Sequence, residues 1–245
     1  MTPDHLTLIT LCIFVIAFLY STVGHAGASG YIAVLSLFSV APEAIKPTAL
    51  TLNILVASIC TVQFWRAGHF SWRLFWPFAL LSAPLAFLGG YFNLPADIFK
   101  ILIGVILLFS AARFLLRPPT EQDPTKPPRL VAILSGAGIG LLSGLTGTGG
   151  GIFLTPLLLF KHWASTKQAA AVSALFILLN SSAGLLGNLS STKQFPTFAL
   201  ALVVAAGIGG SIGSYFGSQR FDPMIIKRFL AIVLLVAGTK LVLTL

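Results

Sequence analysis

Gly24-His25-Ala26-Gly27-Ala28-Ser29-Gly30-Tyr31-Ile32 is answered 120 residues later by Gly144-Leu145-Thr146-Gly147-Thr148-Gly149-Gly150-Gly151-Ile152. Three glycines and the isoleucine coincide. The likeness continues outward with slowly growing offsets. Ala49-Leu50-Thr51 lies over Ala171-Val172-Ser173 at 122, Gly89-Gly90-Tyr91-Phe92 over Gly213-Ser214-Tyr215-Phe216 at 124, and Lys100 meets Lys227 at 127. Such drift is what small loop insertions between fixed segments produce, so the chain reads as one unit used twice.

Apolar runs flank both motifs. Five occur in the first half, at about 6–23, 31–41, 48–65, 74–92 and 98–116. Five more follow at about 130–145, 151–160, 168–188, 196–217 and 224–244. Between the halves lies a polar stretch, 117–129, with prolines at 118, 119, 124, 127 and 128, which cannot be helical throughout. The runs approach the ~20 residues that cross a bilayer core, and open strands cannot satisfy their backbone in lipid. The expectation is therefore an all-α integral membrane protein in contact with the lipid bilayer. It comprises a first repeat at 1–116, a linker at 117–129 and a second repeat at 130–245. Runs 31–41 and 151–160 make only ~15 Å of helix and are expected as half-helices after glycine turns, beside about eight full spans.

Composition agrees. Of 245 residues 56% are hydrophobic and 9% charged, against about 25% charged in soluble domains, and mean hydropathy is +0.95. The net charge of +9 does not make a nucleic-acid binder, because the basic residues stand singly between apolar runs. Cys12 and Cys60 lie in apolar runs and form neither a disulfide framework nor a metal spacing. The first six residues hold no Lys or Arg, unlike a signal-peptide n-region, so the first run is kept as structure.

Loop charge tests the topology. If every segment flips the side, or each glycine turn closes a hairpin back to its own side, one face holds Arg66, Arg73, Arg113, Arg117, Lys126, Arg129, Lys161, Lys167, Arg220, Lys227 and Arg228. The other holds Lys46, Lys100, Lys193 and Lys240. Treating each glycine-linked pair as one broken crossing nearly evens this split. The positive-inside rule then puts the richer face in the cytoplasm and both termini in the periplasm. With five segments per unit, the second copy enters inverted. Trp65, Trp72, Trp76, Tyr91, Trp163 and Tyr215 fall near segment ends, as interfacial anchors do.

The glycine motifs carry the chemistry. Each opens a short helix, and a helix N-terminus offers unpaired N–H groups and partial positive charge, which suit an anion. Inverted-repeat transporters place broken helices at the midplane in this way. The candidate binding set is Gly24, His25, Gly27, Ser29, Gly30, Thr51 and Asn53 in the first half. In the second it is Thr146, Gly147, Thr148, Gly149, Gly150, Ser173 and Asn180. Hydroxyls and amides can hold an anion without a buried cation, although Ser and Thr also bond their own helix carbonyls. The glycines have a plainer reading too, as close-packing positions. His25 is the one ionisable group within the motifs, open to anion contact or to a coupling proton, but Leu145 replaces it in the second copy. Asp4, Glu43, Asp97, Glu121, Asp123 and Asp222 all fall at segment ends or in loops, which disfavours cation transport. No Ser-His-Asp, His-x-x-x-His or P-loop pattern occurs, so no catalytic residue, metal or cofactor is expected.

The paired turns, with Ala49-Leu50-Thr51-Leu52-Asn53 and Ala169-Ala170-Ala171-Val172-Ser173, resemble the TauE/SafE sulfite exporter (TSUP) family. The resemblance implies a secondary transporter in the bacterial inner membrane. Its partner would be a small sulfur oxyanion or sulfonate: sulfite, thiosulfate, sulfoacetate or a related compound. An anion channel, or a carrier of another small organic acid, is the alternative. Small-residue faces would allow a homodimer without demanding one.

Overall fold

The computed structural model describes residues 3–92, 123–193 and 197–220, with scattered positions between 101 and 116 and between 222 and 239. The expected segments 98–116 and 224–244 therefore lie largely outside the described residues. Those residues contain eight α-helices and no strand. They are α1 (Pro3–Ser21), α2 (Ala28–Leu37), α3 (Pro42–Arg66), α4 (Trp72–Tyr91), α5 (Arg129–Thr146), α6 (Gly151–Phe160), α7 (Thr166–Thr192) and α8 (Thr197–Gln219). Five of them, α3, α4, α5, α7 and α8, are long and apolar enough to cross a membrane. The two short helices have ten residues each, as the sequence requires, although α2 begins three residues before the expected 31.

Glycine sets how the helices pair. Gly136, Gly140 and Gly144 of α5 lie one turn apart and press against the carbonyls of Phe78, Ser82 and Ala86 in α4, where an added Cβ would overlap the backbone. Gly209, Gly213 and Gly217 of α8 do the same against Phe14, Phe18 and Thr22, along and just beyond α1. Close backbone approach of this kind is how helices associate where lipid supplies no hydrophobic driving force.

These contacts also fix direction. In both pairs the residue numbers rise together, so α4 runs parallel to α5 and α1 parallel to α8. Ser82 meets Asn180 and Phe87 meets Gly187, making α4 and α7 parallel. Val56 meets Gly210 and Gln63 meets Ser211, making α3 and α8 parallel. Leu50 meets Gly184 whereas Asn53 meets Ser181, so α3 and α7 are antiparallel. Helices α1, α3 and α8 thus point one way and α4, α5 and α7 the other.

The chain must therefore turn back between α1 and α3, through α2, and between α5 and α7, through α6. A glycine-linked pair forming one broken crossing is not what the structure shows. The directions gather Arg66, Arg73, Arg129, Lys161, Lys167 and Arg220 at one end of the bundle. By its length α6 rises ~15 Å from its glycine turn to that end.

Two apolar clusters fill the interior, one around α1, α2 and α3, the other among α4, α5, α6 and α7. Leu80, Leu134, Leu200, Val204 and Ile208 face outward, where lipid would cover them. Among the expected anchors Trp163 is corrected: it is buried and packs against Phe78, because the α6–α7 loop folds inward over α4. Lys46 is corrected likewise, from a loop position to a buried one inside α3. The linker ends one residue early, since Arg129 already begins α5.

Candidate functional site

The second glycine turn is the better furnished. Gly147, Gly149 and Gly150 all have left-handed backbones, with φ of 75°, 77° and 83°. Gly150 then caps α6. At such angles an L side chain is strained, and at Gly149 it would also be crowded. A Cβ there would stand 2.5 Å from Asn53 Nδ2, 2.8 Å from Ile177 and 2.9 Å from Ser181 Oγ.

Two asparagines from different halves meet this turn. Asn53 of α3 donates from Nδ2 to Ser181 Oγ at 3.2 Å and to the Thr148 carbonyl at 3.4 Å. Asn180 of α7 accepts at Oδ1 from Ser82 Oγ at 2.6 Å, and a Cβ on Gly150 would lie 3.4 Å from its Nδ2. Both asparagines are fully buried, yet Asn53 Oδ1 and Asn180 Nδ2 have no partner. A buried amide left half-satisfied costs ~1–3 kcal/mol, which a ligand can relieve. Beside them are the N–H groups of Gly151 and Ile152 at the start of α6, whereas the Phe153 N–H already donates to the Gly150 carbonyl at 3.1 Å.

A second chain of polar contacts crosses between the halves. His25 Nε2 lies 2.7 Å from Thr155 Oγ1 in α6, and Thr155 donates to Ser173 Oγ in α7 at 2.7 Å. With the Thr155 proton so used, the ring Nε2–H donates to Thr155. The His25 ring also comes within reach of Gly151, whose added Cβ would lie 3.5 Å from Cδ2. His25, in the turn before α2, is thus tied to α6 of the other half.

The remaining candidates are occupied locally. Ser29 pairs with Tyr20 at 3.0 Å. Thr51 donates to the Pro47 carbonyl of its own helix at 2.8 Å, and Thr146 to Leu142 at 2.7 Å while touching Thr148. Gly27 (φ 111°) caps α2, and Gly24, also left-handed, lies against the Ala170 backbone. Gly30 serves packing, since a Cβ would strike Ile16. The structure therefore joins Asn53, Thr148, Gly149, Gly150 and Asn180 in one constellation and His25 with Ser173 in another. Thr51 stays in its helix.

Sequence reasoning did not single out Thr155, Ser181, Ser82 or Lys46. Thr155 and Ser82 sit in apolar helices where one hydroxyl carries no signal, while Ser181 could have been suspected from its neighbour Asn180. Lys46 packs beside Gly147 and donates from Nζ to the carbonyls of Gly89 (3.3 Å), Gly90 (3.0 Å) and Phe92 (3.0 Å), at the end of α4. A cation suits a helix C-terminus. Among the described residues no group of His, Cys, Asp and Glu could hold a metal. The site offers a donor at Asn180 Nδ2 beside the start of α6 and no carboxylate, as an anion receptor does, while the spare atom of Asn53, Oδ1, is an acceptor.

Comparison with known proteins agrees. The family profile for Sulfite exporter TauE/SafE matches residues 9–241. The chain is 43% identical over 238 residues to the "probable membrane transporter protein" y4hK of Sinorhizobium fredii, covering 95% of this chain and 96% of the relative. It is also similar to two probable membrane transporter proteins of Bacillus subtilis. YunE is 26% identical over 83% of this chain and 82% of its own, and YjnA 28% identical over 89% and 92%. No solved structure matches it.

Proposed function

The chain belongs to the sulfite exporter TauE/SafE family, a membrane transporter and not an enzyme, and on that premise we propose that it moves a small sulfur-containing anion across the bacterial inner membrane as a secondary transporter. The substrate class is sulfite, thiosulfate, sulfoacetate or a related organosulfonate. It binds at the Gly147–Gly150 turn, against the start of α6 and the amides of Asn53 and Asn180. The first turn, through His25, forms the facing side. The observation that carries this reading is the spare donor of the buried Asn180, its Nδ2, at a left-handed glycine turn free of carboxylates.

The two units, 1–116 and 130–245, are inverted copies. Support comes from direction: α1 and α5, α3 and α7, and α4 and α8 occupy matching places in the two halves and run oppositely. Alternating access is then rocking of one unit against the other about the turns. The end that gathers the basic residues faces the cytoplasm, by the positive-inside rule, and both termini face the periplasm.

The test is thermal stabilisation of the purified protein in detergent against sulfite, thiosulfate, sulfoacetate, taurine, sulfate, chloride and acetate. A ligand far above its Kd raises stability by ~2.7 kcal/mol at a hundredfold excess. A shift with one sulfur anion that disappears in Asn180→Leu supports both ligand and place. Equal response to all seven, or a response that Asn180→Leu retains, sinks the assignment.

A further inference from the structure

At the basic end of the bundle a cavity of about 490 Å³ opens between the start of α4, the linker at 124–127, the start of α5 and the α6–α7 loop. Arg73, Lys126 and Arg129 line it, and no described Asp or Glu does. Its linker wall is pinned, because Thr125 donates from its N–H (2.6 Å) and its hydroxyl (3.1 Å) to the His162 carbonyl. Helices α4, α5 and α7 are parallel and all begin at this end, so three N-termini add partial positive charge to three cations. Electrostatically the cavity is made for an oxyanion.

Its surroundings say which one. Trp76 lines the cavity and is 45% exposed, and Trp72 beside it is exposed as well, as in an interfacial belt. The exposed residues along α4 include Leu80, Leu81 and Leu88, and those along α5 include Leu130, Val131 and Leu134. The cavity thus sits at the basic end of the bundle, next to an apolar seam along α4 and α5. A free solute would leave the seam bare. A lipid fills both, with its headgroup among the cations and its acyl chains along α4 and α5. We propose that this cavity is a binding site for the phosphate headgroup of an anionic phospholipid, separate from the glycine-turn site and independent of which substrate is carried.

The full chain in neutral detergent should be stabilised on titration with phosphatidylglycerol and not with phosphatidylcholine. Each Lys or Arg near a membrane surface strengthens such binding ~5-fold. Arg73→Gln/Lys126→Gln/Arg129→Gln should therefore shift the phosphatidylglycerol midpoint by more than about tenfold while melting normally in phosphatidylcholine. Arg66→Gln, at the same end but outside the cavity, should leave it unchanged. If the triple variant fails to fold, Lys126→Gln alone, outside every helix, probes the same contact through a ~5-fold shift. Equal stabilisation by both lipids, an unshifted midpoint in the cavity variants, or full reproduction by inorganic phosphate without lipid would each overturn the proposal.

Discussion

Gly149 and Gly68 share a backbone angle, φ 77°, but not an environment. Nothing lies within 4 Å of a Cβ built on Gly68, in the α3–α4 turn. At Gly149 the same atom meets the Asn53 amide, Ile177 and Ser181, all buried. The pair therefore separates backbone strain from crowding at the site. Gly68→Ala carries only the left-handed penalty, ~1–2 kcal/mol, eased by ~0.4–1 kcal/mol through lost freedom in the unfolded chain. Gly149→Ala carries that plus an overpacking cost of ~1–3 kcal/mol. It should lie ~1–3 kcal/mol below Gly68→Ala in unfolding free energy. Displacing Asn53 from Thr148 and Ser181 should also weaken anion affinity about tenfold, whereas Gly68→Ala should bind normally. Thermal unfolding in detergent and uptake into proteoliposomes read the two effects. Stability within ~0.5 kcal/mol of Gly68→Ala, together with unimpaired uptake, would refute the crowded-turn account of the site.

Thr155→Val removes the hydroxyl between His25 and Ser173, and it should cost ~1–3 kcal/mol and impair transport, while Thr155→Ser should keep most of both; equal behaviour of the two would dismiss the relay. Gly144→Ala meets the Ala86 carbonyl and the Gly90 nitrogen, so it should lose ~1–3 kcal/mol. Gly138→Ala on the same helix meets nothing within 4 Å and should gain up to ~1 kcal/mol; comparing their melting temperatures decides it. Partial burial and then the nearby Lys167 lower the His69 pKa from its ordinary 6.5. A base whose folded pKa is depressed loses stability as pH falls from about 6.5 through the folded value. Acid sensitivity in that window should therefore shrink in His69→Gln and in Lys167→Gln, and an unchanged pH profile in both would remove His69 as its source.

What the sequence revealed follows from where its signal is strong. Length and hydropathy located α4, α5, α7 and α8 to within a few residues, because lipid demands long apolar runs, but placed the start of α3 six residues late. The glycine turns were legible since left-handed backbone and tight approach both select glycine. Loop charge disfavoured one broken crossing per glycine-linked pair, without separating a crossing from a re-entrant short segment, and the shared direction of α1 with α3 and of α5 with α7 fits that parity. Side-chain partners were not legible. Thr51 and Asn53 looked equivalent, but α3 rotates Asn53 toward the turn and leaves Thr51 on its own carbonyl. Trp163 stood near a segment end like the true belt residues, and only the inward fold of its loop buries it. A lone lysine between apolar runs reads as a loop anchor, so Lys46 was misplaced until its three carbonyl partners were seen.

Those partners extend the likeness between the two stretches from hydropathy to polar contacts. Lys46 lies near the start of α3 and reaches the carbonyls that end α4. Lys167, 121 residues later, lies near the start of α7 and reaches the Ser218 carbonyl that ends α8, at 3.4 Å. The same device thus ties the third helix of each unit to the fourth, at opposite ends of the molecule. Its execution differs: Lys46 is buried with three acceptors, and Lys167 is exposed with one long contact. The turns differ in the same sense, since the amides and hydroxyls gather at Gly147–Gly150, the turn packed against Lys46, while the first turn contributes His25. A symmetric scaffold needs only the backbone directions to match. A receptor for one ligand needs converging donors, and the two turns differ in what they offer, Asn180 Nδ2 beside Gly150 and His25 at the first.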